Sequence, residues 1–125
     1  MALTKFSNGI SSFVSNVNAT EKSANFTAVA NTNYRITATC VATLPAIAVG
    51  NTFTFVIDAP DGTAQLSISP AAADGIAYGG SFADNKDLIN TLATSKRGDF
   101  VTLISGDQVV YWITSAAQGT WAKEA

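Results

Sequence analysis

From Ala24 onward, apolar positions recur with a period of two. In Asn33–Val41, Tyr34, Ile36, Ala38 and Cys40 fall on one side of an extended chain, and Arg35, Thr37 and Thr39 on the other. Thr52–Ile57 puts Phe53, Phe55 and Ile57 on one face, and Ala64–Ser69 turns Leu66 and Ile68 inward with Gln65, Ser67 and Ser69 outward. The link between these two runs, Asp58-Ala59-Pro60-Asp61-Gly62-Thr63, has the turn chemistry of a short hairpin loop: Pro60 presets φ and Gly62 accepts the left-handed region. Asp99–Ser105 and Gln108–Thr114 form a second expected hairpin, closed by Gly106-Asp107 as a type II′ turn. That register sets Ile104 opposite Val109, Thr102 opposite Tyr111 and Phe100 opposite Ile113, with Leu103 against Val110 and Val101 against Trp112 on the other face. Both faces are apolar, so the hairpin needs a cover on each side, one from its own core and one from another subunit or a long covering loop.

The remaining stretches are less regular. Gly75, Gly79 and Gly80 exclude a long helix across 76–95; 85–94 reads as a helical turn followed by a strand, and Ala71–Ala73 as one helical turn. Residues 1–23 carry Phe6, Ile10, Phe13, Val14 and Val17 among Ser and Asn with no clear period. Such an arm can pack across its own body or dock on a partner. The pattern thus predicts one domain: an arm over 1–23 and a β-structured body over 24–125, an all-β, compact antiparallel sandwich or barrel-like fold.

Composition narrows the chemistry. Histidine is absent, which removes His bases, Ser-His-Asp and Cys-His systems and His-ligated metals. Cys40 is the single cysteine, which excludes an internal disulfide or a Cys-cluster metal site and suits a reduced core residue. Only 13% of residues are charged, the net charge is −2, and the basic residues are scattered, a poor fit to a phosphate-gripping surface. No apolar run is long enough for a membrane helix, and the opening residues lack a signal-peptide layout, so synthesis in a cytoplasm is expected. Asp58 with Asp61, and Asp84 with Asn85 and Asp87, are the carboxylate clusters a calcium ion would want, but Asp and Asn are also ordinary turn residues. Ser95-Lys96 would point to opposite faces of an extended chain and cannot share a proton there. Arg97-Gly98-Asp99 spells an adhesive tripeptide, yet it reads as a turn before a strand. No enzyme activity, metal or cofactor is expected.

Two stretches carry a resemblance. Thr4-Lys5-Phe6-Ser7-Asn8-Gly9-Ile10-Ser11-Ser12-Phe13 resembles the opening segment of virion structural proteins of tailed bacteriophages. Thr43-Leu44-Pro45-Ala46, Gly50-Asn51-Thr52-Phe53-Thr54-Phe55, Leu66-Ser67-Ile68-Ser69-Pro70, Lys96-Arg97-Gly98-Asp99-Phe100-Val101 and Gly119-Thr120-Trp121 together resemble a small β module of phage capsid-decoration (cement) and fibre proteins. The resemblance implies an all-β fold, a homotrimer and no catalysis. It implies a place on the outer capsid surface of a virion, with the major capsid protein as partner and neither nucleic acid nor membrane. The short chain, without fibre repeats, suits a decoration knob better than a tail- or head-fibre-associated receptor-binding or adaptor module. Leu3, Thr4, Lys5, Phe6, Asn8, Ile10 and Phe13 are the expected capsid contacts, and Val101, Leu103, Val110, Trp112 and Trp121 the expected subunit interface.

Overall fold

A computed structural model describes residues 19–105 and 110–125. Among these residues eleven strands run in chain order: β1 (Thr20–Lys22), β2 (Phe26–Thr27), β3 (Thr32–Ile36), β4 (Cys40–Thr43), β5 (Thr52–Ile57), β6 (Leu66–Ser69), β7 (Gly75–Ala77), β8 (Leu88–Asn90), β9 (Phe100–Ile104), β10 (Tyr111–Gln118) and β11 (Trp121–Lys123). They form two sheets. Sheet A has the order β1-β3-β5-β9-β10-β7, and sheet B the order β11-β8-β6-β4-β2.

The first six strands alternate between the sheets, and within each sheet they pair in parallel: β1 with β3 and β3 with β5 in sheet A, β2 with β4 and β4 with β6 in sheet B. Parallel neighbours ordinarily need a crossover of a dozen or more residues. Here the strand of the facing sheet is that crossover, so the chain winds as a flattened coil. Equivalent inward residues then stack from one turn to the next: Tyr34 pairs with Phe55, Cys40 with Leu66 and Ala42 with Ile68. The winding ends where the chain reverses. β8 lies antiparallel on β6 and β9 antiparallel on β5.

The all-β fold and its inward rows follow the sequence pattern, but the strand pairing differs from expectation in three ways. The sheets are mixed rather than antiparallel. Thr52–Ile57 and Leu66–Ser69 are not a hairpin; they lie in different sheets, and the Asp58–Thr63 link crosses between the layers. Alternation cannot distinguish these arrangements, because two strands with one apolar row each bury it equally well side by side or face to face across a core. The C-terminal pair does form, in another register. Ile104 faces Ile113 instead of Val109, and a bulge between Thr114 and Ala116 brings Thr102 opposite Ala116 and Phe100 opposite Gln118. Tyr111 and Trp112 pair with Gly75 and Ile76 of β7 instead. The slide before the bulge is an even number of residues, so Trp112 stays on the same face as Val101 and Leu103. Gly106-Asp107 lies outside the described residues.

Smaller differences follow. Sheet A begins at Thr20, ahead of the Ala24 boundary read from the pattern. In 85–94 the strand comes first and a short 3-10 helix, Leu92–Thr94, second. Ala71–Ala73 forms a turn, with the Asp74 N–H donating to the Ala71 carbonyl.

The core lies between the sheets. Tyr34, Ile36, Phe53, Phe55, Ile57, Ile76, Val101, Leu103 and Trp112 come from sheet A, and Cys40, Ala42, Leu66, Ile68, Leu88 and Trp121 from sheet B. An aromatic row runs through it. Tyr34 stacks on Phe55 at 5.6 Å, Phe55 on Phe53 at 5.9 Å, and Phe53 meets Trp112 edge-on at 5.3 Å.

Candidate interaction surface

The sheets differ on the sides that face away from the core. Sheet B turns out Val41, Thr43, Ser67, Ser69, Ile89 and Ala122, mostly small or polar. Sheet A turns out Arg35, Thr54, Val56, Phe100, Thr102, Ile104, Tyr111 and Ile113, all half-buried. Thr54 and Thr102 satisfy one another across the ladder at 3.1 Å. The apolar remainder gathers toward the β10–β7 edge, where Ile104 pairs with Ile113 and Ile113 with Ala77.

A turn completes this patch. The Tyr78 N–H donates to the Ser81 carbonyl at 2.9 Å and the Ser81 N–H to Tyr78 at 3.0 Å, closing a tight loop over Gly79 and Gly80. Both glycines have positive φ, 60° and 84°, the backbone of a type I′ turn. The chain then folds back over β7, bridging Asp84 to Gly75. Gly75 permits this, because a Cβ there would overlap the Phe82 carbonyl. Phe82 is thereby held over Tyr111, stacked at 5.4 Å, while 57% exposed. Phe82 thus extends the apolar stretch that Tyr111, Ile113 and Ile104 form at this edge. Beside it lies an open groove of about 360 Å³ lined by Ala77, Tyr78, Gly79, Gly80, Phe82, Ile113 and Thr114, none of them charged. The buried Thr114 hydroxyl has no hydrogen-bond partner among the described residues.

Charge is concentrated elsewhere, and it is paired. Arg35 bonds Asp58 at 2.8 Å and Glu21 at 3.0 Å, Arg97 bonds Asp58 at 3.0 Å, and Lys96 lies 3.8 Å from Asp61. The Arg35 guanidinium, foremost, holds the Asp58 carboxyl below its ordinary range, and Arg97 adds to it. A cation at Asp58 would have to displace two arginines. Burial pushes the Cys40 thiol above its ordinary pKa, which keeps it protonated in the core.

The adhesive tripeptide is structural. Asp99 is 3% exposed; its carboxylate accepts from the Asn90 amide at 3.1 Å and the Lys96 N–H at 3.0 Å. Gly119 packs against that carboxyl with no room for a side chain. Among the residues expected at a subunit interface, Val101, Leu103, Trp112 and Trp121 are buried in this chain's own core and offer a partner no usable surface. Val110 is 47% exposed. The doubly apolar hairpin reading assigned the inner row to the wrong cover. Leu3, Thr4, Lys5, Phe6, Asn8, Ile10 and Phe13 lie outside the described residues.

No protein-family model matches this chain, and no curated protein matches it.

Sequence reasoning missed Phe82, Tyr78 and Gly75. The available signal was Phe82 itself, a lone large ring between Ser81 and Ala83 in a stretch otherwise rich in Gly, Asp and Asn.

Proposed function

We propose that the chain is a capsid decoration (cement) protein, a homotrimer that binds the outer surface of a mature phage shell and reinforces it. The observation that supports this reading is the unequal pair of outer faces: a mostly small or polar one on sheet B, and on sheet A an apolar edge with Phe82 and Val110 exposed. A module so arranged serves by binding. If it binds the assembled shell and not its dissociated subunits, mass action stabilises the shell, and many copies multiply the effect. The arm residues Leu3, Thr4, Lys5, Phe6, Asn8, Ile10 and Phe13 are the proposed capsid contacts, with Phe6 and Phe13 as aromatic anchors. The exposed edge at Val110 and Phe82 is the proposed place for subunits to meet. No catalytic step, metal or cofactor enters this reading.

A second reading, a tail- or head-fibre-associated receptor-binding or adaptor module, draws on the uncharged groove beside Phe82, which suits a small neutral group. Copy number separates the two. Quantified virion bands should show hundreds of copies per particle for a decoration protein; a handful would overturn it in favour of the second reading. Light scattering of the purified protein should give three times the chain mass, and a monomeric mass at micromolar concentration would remove the trimer.

A further inference from the structure

The two ends of the sandwich differ in chemistry. At one, the links 58–65 and 95–99 carry Asp58, Asp61, Lys96 and Arg97, paired with one another. At the other, where β3 and β5 begin, the links 28–31 and 44–51 hold no charged residue. We propose that this uncharged end is the surface by which the chain seats on the shell, its partner there an apolar, uncharged patch of the assembled shell protein. The proposal rests on the decoration reading and names the face of the body that makes the contact.

Four observations carry it. The two most exposed large hydrophobic side chains among the described residues, Val29 at 65% and Val49 at 60%, are both here, with Ala46 and Ala48 exposed beside Val49. The links lie side by side: the Ala28 N–H donates to the Thr43 carbonyl at 2.8 Å, and the Asn31 side chain accepts the Thr52 N–H at 2.9 Å. Second, buried polar groups pin these apolar links from below. The Tyr34 hydroxyl accepts the Val29 N–H at 2.7 Å, and the Asp74 carboxylate accepts the Ile47 N–H at 3.0 Å. The Ser105 hydroxyl donates to the Ala48 carbonyl and accepts the Asn51 N–H at 3.0 Å. Tyr34, Asp74 and Ser105 are all buried. The backbone under Val29 and Val49 is thus held in place before any contact, and little ordering entropy is lost on docking. Third, the composition selects the partner. A lipid surface calls for Lys, Arg, Trp or Tyr, and the two links contain none of them. Small and apolar side chains without charge suit the desolvated centre of a protein interface. The patch lies on the β3–β5 side of sheet A, which leaves the β10–β7 edge for contact between subunits. Fourth, β1 runs parallel to β3 with Thr20 opposite Tyr34, so the chain enters sheet A from this end. The capsid contacts of the decoration reading precede β1 in the sequence and are joined to the body there.

The test is binding of the full-length protein to shells stripped of it, compared for Val29→Asp, Val49→Asp and Leu92→Asp; Leu92 is an exposed apolar residue at the charged end. Val29→Asp and Val49→Asp should each bind at least about tenfold more weakly, with circular dichroism and the mass by light scattering unchanged. Leu92→Asp should bind as the unaltered protein does. Undiminished binding by either valine variant, or an equal loss in Leu92→Asp, overturns the proposal and leaves the decoration reading standing. So does a loss of binding that comes with a fall in mass, which would make a second copy the occupant. So does retention of the unaltered protein on phosphatidylcholine vesicles that Val49→Asp abolishes, which would make lipid the occupant. A second measurement introduces no charge. Alkylation of Val49→Cys by iodoacetamide should slow at least about tenfold on shells, and that of Leu92→Cys should not; Cys40, buried and protonated, stays out of the reaction. An unprotected thiol at position 49 overturns the proposal. If the unaltered protein does not bind stripped shells at all, the decoration reading falls and the proposal with it.

Discussion

On sheet B, the side chains that turn from the core are Thr43, Ser67, Ser69 and Ala122, with Val41 and Ile89 half-buried among them; on sheet A they include Val56, Phe100, Ile104, Tyr111 and Ile113, with Phe82 folded over the edge. Both sheets supply the same core from their inner rows. Sheet B leaves less apolar surface in water than sheet A does. A strand's two faces are therefore specified separately: the inner row determines that the chain folds, and the outer row determines what the folded chain meets.

The largest effects should come from the inner rows, and they should be alike in the two sheets. Trp112→Ala removes a fully buried ring from sheet A and should cost about 3–5 kcal/mol, and Leu66→Ala in sheet B about 2–5 kcal/mol, measured by chemical denaturation. A much smaller loss in one of them would mean that the core is not shared. Next come the close approaches that shape the edge of sheet A. Gly75→Val would force the Phe82–Ala83 backbone off β7, and a loss of about 1–3 kcal/mol with a changed Tyr111 environment in near-ultraviolet spectra is expected. Asp99→Ala should cost about 1–3 kcal/mol, because the Asn90 amide and Lys96 N–H lose a buried acceptor.

The inner rows were legible because burial at every second residue is what a half-covered strand must show; Phe53, Phe55 and Ile57, and Leu66 with Ile68, are where alternation puts them. Pairing was not legible. The short links, such as the three residues between Ile36 and Cys40, fit a hairpin or a passage to the facing sheet equally well. The register of β9 and β10 depends on Trp112 finding Ile76, a contact between residues far apart in sequence. The apolar excess on Asp99–Thr114 has two parts: Val101, Leu103 and Trp112 form the core, while Phe100, Ile104, Tyr111 and Ile113 lie half-buried on the outer face. Phe82 could be placed only once Gly75 was seen to let the chain fold back.

Smaller effects separate the charged end from the apolar edge. The folded-state pKa of Asp58 lies below its ordinary 3.8. Between those values the unfolded chain holds the proton more often, so stability rises with pH through that window and is flat above it. Its loss on acidification should be slight, reduced by salt and absent in Asp58→Asn, as followed by melting temperature against pH. Ser67→Lys, on the outer face of sheet B, should change stability by no more than about 0.5 kcal/mol.

The central proposal is that the apolar edge of sheet A meets a partner and the outer face of sheet B meets water. Binding of the full-length protein to shells stripped of it, compared for Ile104→Lys and Ser67→Lys, tests this most directly. Ser67→Lys should bind as the unaltered protein does, and Ile104→Lys at least about tenfold more weakly, with both still folded by circular dichroism. Equal binding by the two variants, or a loss confined to Ser67→Lys, would contradict it.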